Sequence, residues 1–239
     1  MIIWINGPFG SGKSTLANGL RKALLSSVAA DPEEIGDLLR RTLRGHAASM
    51  RDYQDYPAWR RLTVAYVSAV ARHTGGHVLV PMTVLNAACA AEIFDALDTG
   101  PGLVQLVLHP DPHTLGARIA ASEEFPGDET RSEAVRAHRR RRASDCTQTA
   151  EGWMHAAGHV IDTSPLTSDE VLHAALDRLS AEASVPVSSR GHSYVLSLSA
   201  GSSSSARWSR RPRTARASRA YGSSCCRRPR TDSAPSRWP

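Results

Sequence analysis

Residues Gly7-Pro8-Phe9-Gly10-Ser11-Gly12-Lys13-Ser14 carry a spacing with a definite chemistry: glycine, four residues, glycine, lysine, serine. Glycines at such points let successive backbone N–H groups turn inward onto phosphate oxygens. A helix opening near Gly12 adds the positive end of its dipole. Lys13 brings a cation to the β- and γ-phosphates, and Ser14 offers its hydroxyl to Mg²⁺. The lysine is itself informative, because the chain holds only two, Lys13 and Lys22, against 27 arginines. A planar guanidinium substitutes poorly for a compact ammonium inside a ring of phosphate oxygens. Residues 7 to 15, ending at Thr15, are therefore the nucleotide-binding candidates, with ATP and Mg²⁺ as ligands, Ser14 as the metal-binding side chain and Lys13 as a catalytic cation.

The second chemical candidate is Asp31. It follows a short apolar run, at the carboxyl edge of a parallel sheet, where open α/β folds bind ligands. A carboxylate there can take the proton of a substrate hydroxyl and orient it for in-line attack on a γ-phosphate. Asp31-Pro32-Glu33-Glu34 also reads as a helix start, with Asp as N-cap, Pro at the first helical position and an acid in the first turn. The two roles are compatible. The third strand ends in Val80-Pro81-Met82-Thr83 and not in the aspartate that often holds Mg²⁺ there, which leaves Ser14, the phosphates and water to hold the metal, with Asp31 nearby. Thr83 at that end caps the strand. Tyr53, Tyr56 and Trp59, with Asp52, Asp55 and Arg60, make a substrate cap with stacking surfaces or an aromatic anchor for the following helix.

These residues need a frame. Apolar runs at Ile2–Asn6, Val28–Ala30, His77–Pro81, Leu103–Leu108 and Val160–Ile161 read as strands. Helical patterns lie between them at Lys13–Leu25, Pro32–Leu43, Trp59–His73, Ala87–Leu97 and Pro112–Ala121, and after them at Ser168–Ala183. Thr167 and Glu170 frame the last start as a capping box. Strands alternating with helices imply a parallel sheet covered on both faces.

The net charge of +6 hides two unlike parts. From Val185 onward there are 11 arginines against one acid, Asp232, a local +10. The first 184 residues hold 18 basic and 22 acidic residues, a net −4. Residues 185–239 carry 15 serines and almost no apolar periodicity, a composition that predicts a disordered tail. Such a tail binds nucleic acid or anionic lipid nonspecifically, if at all. No specific nucleic-acid motif, membrane-spanning run or signal peptide is evident, and the four cysteines have no metal-ligand spacing. The expectation is a cytoplasmic protein with one domain over 1–184 and a basic tail.

The segments DPEEIGDLLR (31–40), YQDYPAWR (53–60) and HVLVPMTVL (77–85), together with INGPFGSGKST, resemble the tunicamycin-resistance protein family of small P-loop proteins. That family is related to chloramphenicol phosphotransferase-like and nucleoside-monophosphate-kinase-like proteins. The resemblance runs from Met1 to about Ala183. It implies a three-layer P-loop NTPase fold with a five-stranded parallel sheet, a helical lid over about residues 122–148, and ATP and Mg²⁺ binding. It also implies Asp31 as catalytic base and a small hydroxylated acceptor, with nucleoside-type antibiotics among the candidates. Kinases of this group close arginines over the phosphates, where guanidinium groups offset charge on the transferring group. The candidates here are Arg118, Arg131, Arg136 and the run Arg139 to Arg142, of which only one or two can face a ligand. Relatives often carry a second arginine one turn after the first, where this chain has Ser122. Asp162-Thr163-Ser164 either lies where adenine is usually held or is a simple strand-to-helix turn, and the resemblance suggests that Thr83 faces the substrate as an alternative to capping its strand. Three functions compete: a small-molecule kinase, a nucleotide-binding protein that gives tolerance by sequestering a drug, and a nucleic-acid-associated ATPase using the tail.

Overall fold

The strand Ile2–Asn6 (β1) reads IIWIN, and all five residues are buried. A strand with no polar face must be covered on both sides, which is the situation of the central strand in a parallel sheet. The structure is a computed structural model that describes residues 1–100 and 102–184. The tail proposed over 185–239 lies outside the described residues. After β1 come α1 (Lys13–Ala23), β2 (Ser27–Ala29), α2 (Glu33–Thr42), one 3₁₀ turn (Tyr53–Asp55), α3 (Pro57–Thr74) and β3 (His77–Pro81). Then follow α4 (Ala87–Asp98), β4 (Leu103–His109), α5 (Pro112–Ala120) and α6 (Glu129–Thr149). A wide π turn (Ala150–Met154) leads into α7 (His155–Ala157), β5 (His159–Asp162) and α8 (Ser168–Ser184).

The sheet order is β2-β3-β1-β4-β5, with every pairing parallel. The alternation of side chains along β1 divides the core in two. Ile2 and Trp4 face Trp59 and Val67 of α3 and Ile93, Phe94 and Leu97 of α4. Ile3 and Ile5 face Leu16 and Leu20 of α1 and Val171, Ala175 and Leu179 of α8. Each fully buried aliphatic side chain contributes about 1.5–3 kcal/mol. The result is the three-layer α/β fold with a five-stranded parallel sheet expected from the sequence. It brings the carboxyl ends of β1, β2 and β3 side by side, so the residues after each share one edge.

The sequence pattern places the helix at the end correctly. Thr167 Oγ1 accepts from Glu170 N at 3.3 Å, and Glu170 Oε2 accepts from Thr167 N at 2.7 Å. The long α6 has no such pattern, because ETRSEAVRAHRRRRASDCTQT lacks an apolar stripe. Helices polar on all sides are sustained by pairs of opposite charge along one face, one or two turns apart. Here Arg136 pairs with Glu129 and Glu133, and Arg140 with Glu133.

Candidate active site

Asn6, at the end of β1, is buried and does two jobs at once. Its Oδ1 accepts from Gly7 N (2.9 Å) and Val84 N (3.1 Å), and its Nδ2 donates to Val84 O (3.3 Å). The Thr83 hydroxyl donates to Gly7 O at 2.7 Å and is itself buried, and Gln54 Nε2 donates to Thr83 O at 2.8 Å. The segment after β3 is thereby fastened to the start of the phosphate loop, and the Thr83 side chain is spent on that fastening. At Gly7 φ is +138°, and an added Cβ would stand 2.5 Å from the Leu108 carbonyl oxygen. The obstacle is backbone of β4, which cannot step aside, so only glycine lets the loop leave β1 this way.

Beyond it the loop turns through Ser11 N donating to Pro8 O (3.2 Å) and enters α1 at Gly12, in the left-handed region with φ 96°. Three features of this cradle fit a polyphosphate. The space a Cβ would fill at Gly12 is open. The start of α1 has no side-chain cap and no acid in its first turn, so its N–H groups and dipole are left for an anion. The Ser11 hydroxyl is buried yet has no hydrogen-bond partner among the described residues, an arrangement that normally costs about 1–3 kcal/mol. Ser14 and Thr15 are exposed on the first turn of α1. No group of three His, Cys, Asp or Glu side chains that could hold a metal by itself occurs among the described residues. A Mg²⁺ at Ser14 would therefore depend on phosphate oxygens for most of its ligands.

Lys13 folds back over the loop. Its Nζ donates to Gly7 O (3.1 Å) and Pro8 O (2.8 Å) and lies 5.4 Å from the centre of the Phe9 ring. Burial lowers its pKa to about 8, Cys146 and Glu33 oppose that shift, and Arg139 adds to it. Asp31, just past β2, is exposed, and its Oδ1 accepts from Glu33 N at 2.9 Å, so it caps α2 while standing at the sheet edge. Glu33 is a residue the sequence reading treated only as part of a helix start. Its carboxyl is crowded although the residue is exposed as a whole; that crowding, then the neighbouring Asp31 charge, raises its pKa, with Lys13 pulling the other way. Two acids two residues apart at a strand's carboxyl edge were the available sequence signal.

Tyr53 leans on this corner. Its hydroxyl bonds to Glu33, burial and then Glu33 hold its proton on more tightly than usual, and its ring packs over Gly36 of α2. Arg40 stacks on the same ring at 4.4 Å. Tyr56 and Trp59 are core residues. Tyr56 is buried and its hydroxyl accepts from Met50 N at 2.7 Å, and Trp59 Nε1 donates to Pro32 O at 2.9 Å. Arg60 is tied to Glu92 and to the Gln54 carbonyl (2.9 Å).

On the other side of the loop, Arg118 of α5 donates to Thr163 Oγ1 (2.9 Å) and Thr163 O (2.7 Å). It lines a cleft of about 230 Å³ together with Gly12, Thr15, Thr163, Leu166 and Val171. The Asp111 carboxylate, held far below its usual range first by the Thr114 hydroxyl, caps α5, and Asp111 N donates to Ser164 Oγ at 2.7 Å. The residues after β4 and β5 thus form one wall. A larger groove of about 400 Å³ between α5 and α6 has mainly apolar walls and includes no phosphate-loop residue.

Helix α6 rests on the loop. The His138 ring meets Phe9 edge-on at 6.0 Å, the backbone of Phe9 bonds to the buried Cys146 thiol, and Arg142 lies 3.6 Å from Asp52. Arg131 lies flat on the Phe125 ring at 3.8 Å. Arg136 is buried and each of its three guanidinium nitrogens is bonded: to Glu133 at 2.8 Å, to the Ser122 carbonyl at 3.0 Å, and to Glu129.

No family model and no curated protein matches the chain in sequence. Solved structures do match. A tunicamycin resistance protein from Deinococcus radiodurans superposes with a TM-score of 0.57 and 25% identity, over 74% of this chain and 94% of that one. A sugar kinase from Janibacter sp. superposes with a TM-score of 0.51 and 17% identity, over 75% and 94%. The chain shares the fold of both. Within that fold the Gly7–Thr15 loop follows β1, Asp31 follows β2 on the same edge of the sheet, and α6 packs on the loop through His138 and Cys146. No helix among the described residues is long and apolar enough to cross a membrane.

Proposed function

We propose that this chain is an ATP-dependent phosphotransferase acting on a hydroxyl of a small molecule. The observation that carries the reading is a phosphate cradle after β1, with its orphaned Ser11 hydroxyl and open Gly12 position, on the same sheet edge as an exposed carboxylate, Asp31, which follows β2 one strand beyond β3. ATP supplies the phosphoryl group, and Mg²⁺ offsets charge on its oxygens. Lys13 leaves the Gly7 and Pro8 carbonyls for the β- and γ-phosphates. Ser14 contributes its hydroxyl to the metal. Asp31 takes the acceptor's hydroxyl proton as that oxygen bonds to the γ-phosphorus and the bond to the β,γ-bridging oxygen breaks, leaving ADP and a phosphate monoester. Arg118, bonded to Thr163 on the cleft wall, borders the nucleotide.

The likeness to a tunicamycin resistance protein supports tunicamycin and other nucleoside-type antibiotics as first acceptors to try. On this reading residues 1–184 carry the activity, in the cytoplasm where ATP is available. A non-catalytic, drug-sequestering protein is the second reading, favoured by the lack of an acid after β3, where Pro81, Met82 and Thr83 stand. The deciding experiment incubates the full chain with γ-labelled ATP, Mg²⁺ and a panel of hydroxylated antibiotics. Label should appear on an acceptor, fall at least about a hundredfold in Asp31→Asn, and vanish in Lys13→Ala. Acceptor binding without transfer, unchanged by Asp31→Asn, would establish sequestration instead.

A further inference from the structure

We propose that the groove between α5 and α6 binds a small amphiphile, an alkyl chain ending in a carboxylate, with the chain along α5 and the carboxylate on Arg140. The site stands apart from the nucleotide reading above and does not depend on it.

Gly116 lies in the interior of α5, where glycine costs helix stability relative to alanine. Three glycines lie inside α-helices among the described residues, and the other two have a visible reason. A Cβ at Gly19 would stand 3.2 Å from Leu172, and one at Gly36 would stand 2.6 Å from the Tyr53 ring. A Cβ at Gly116 would meet nothing within 4 Å. The open space beside it is the groove of about 400 Å³, which Gly116 lines together with Leu115 and Ile119 of α5 and Arg140 and Ala143 of α6. That volume is in the range of small-molecule sites. A helix position left without a side chain, with no neighbour to require it, lets a ligand approach the backbone closely.

Shape and charge select the occupant. Arg136 and Arg139 bond to Ser122, just past the end of α5, so α6 returns alongside α5. Arg140 then stands toward the Ile119 end of the groove and Gln148 toward the Pro112 end. Pro112 to Ile119 and Arg140 to Gln148 each span about 10–12 Å of helix. A space of that length between mainly apolar walls suits an extended alkyl chain. Arg140 is the charged residue among those lining it. Its Nη2 bonds to Glu133, and its other two guanidinium nitrogens have no partner among the described residues. The two side chains of that pair are 47% and 50% exposed, so Glu133 holds the arginine weakly. A carboxylate at the end of the chain fits the free side of the guanidinium fork. The segment after Val185, with a local charge of +10, is a poor occupant, because it would bring further cations to Arg140. Gly10 of the phosphate loop packs against Leu115 and Ile119, yet no phosphate-loop residue lines the groove. The chain therefore occupies a place distinct from the phosphate cradle.

The test measures octanoate binding to the full chain by calorimetry, beside hexanoate and neutral octan-1-ol. Octanoate should bind, and each methylene removed should weaken binding about twofold to fourfold. Gly116→Leu puts a side chain into the groove and should weaken octanoate at least about tenfold, since it takes the space of several methylenes. Ala143→Leu fills the groove from the opposite wall and should do the same, which keeps the test open if one variant fails to fold. Arg140→Gln should weaken octanoate about threefold to tenfold, as for a partly exposed charged hydrogen bond, and leave octanol within about twofold. Gly116→Ala should raise Tm by about 2–4 °C, as for alanine at an open helix position in a chain of this size. A fall in Tm would show that the position is not open and would remove the premise. No octanoate binding, binding unchanged in the leucine variants, or equal losses of octanoate and octanol in Arg140→Gln would each overturn the proposal. The variants keep every residue after Val185, so octanoate held by those arginines persists in them and counts against the groove. A chain that is dimeric, and monomeric only in Gly116→Leu, would assign the groove to a second copy instead.

Discussion

Lys13 is the residue whose chemistry is most constrained, and its burial gives it two opposite pH signatures. The folded chain lowers its pKa from 10.5 to about 8. Between those values the unfolded chain keeps a proton that the folded chain releases. Stability contributed by this group therefore rises with pH across that window. Nucleotide binding moves the other way, because only the charged ammonium is attracted to phosphate. We expect ATP affinity to fall as pH rises through about 8, and the break to be missing in Lys13→Met, with titration calorimetry from pH 6.5 to 9.5 as the measurement. The lysine was legible in the sequence because glycine spacing is a local code. Thr83 was not legible in the same way. Its bond to Gly7 spans 76 positions and depends on β1 and β3 lying side by side, which no local pattern expresses. Glu33 was hidden for another reason, since a first-turn acid is already explained by the helix dipole.

At the scale of elements, α2 packs on the turn at Tyr53–Asp55, and a glycine decides how they meet. Gly36 is the buried residue of α2, and a Cβ there would lie 2.6–2.9 Å from three atoms of the Tyr53 ring. Alanine would improve helix propensity by about 1 kcal/mol, and overpacking a buried contact costs about 1–3 kcal/mol. The second effect wins, because Tyr53 is also held by Arg40 above the ring and by Trp59 at 5.3 Å. Gly36→Ala should destabilise the chain by about 0.5–2 kcal/mol in urea unfolding. In the Tyr53→Ala background the same change should turn neutral or stabilising. A cost that persists without Tyr53 would place the strain elsewhere. Helix α6 shows the opposite balance between sequence and structure. Its existence could be inferred from resemblance but not from periodicity, because α6 is ordered by charge pairs and by the loop beneath it. The direction of each arginine depends on partners as distant as Glu124 and Asp52, which spacing cannot supply.

At the scale of the whole molecule, charge is segregated along the chain. The first 184 residues carry a net −4 and the last 55 a net +10. The five strands and the phosphate loop were readable because buried parallel strands are short, continuous apolar runs between helical patterns. The same reading finds no core-forming pattern after Val185. A nucleotide also carries several negative charges, so the tail and the cradle could compete for it. They differ in kind. Attraction to a string of arginines depends steeply on salt, whereas a cradle of backbone N–H groups and one half-buried lysine is screened much less. Removing residues 185–239 should therefore leave the ATP dissociation constant within about twofold at 150 mM salt, where the Debye length is about 8 Å. The same truncation should abolish retention on a polyanion such as heparin, which the full chain should show with a strong dependence on salt. Loss of ATP binding on truncation would show that the arginine-rich segment completes the nucleotide site, and the division of labour along the chain would have to be redrawn. Retention on heparin by the truncated protein would place a polyanion surface on the acidic body, where the exposed arginines of α6 are the first positions to change.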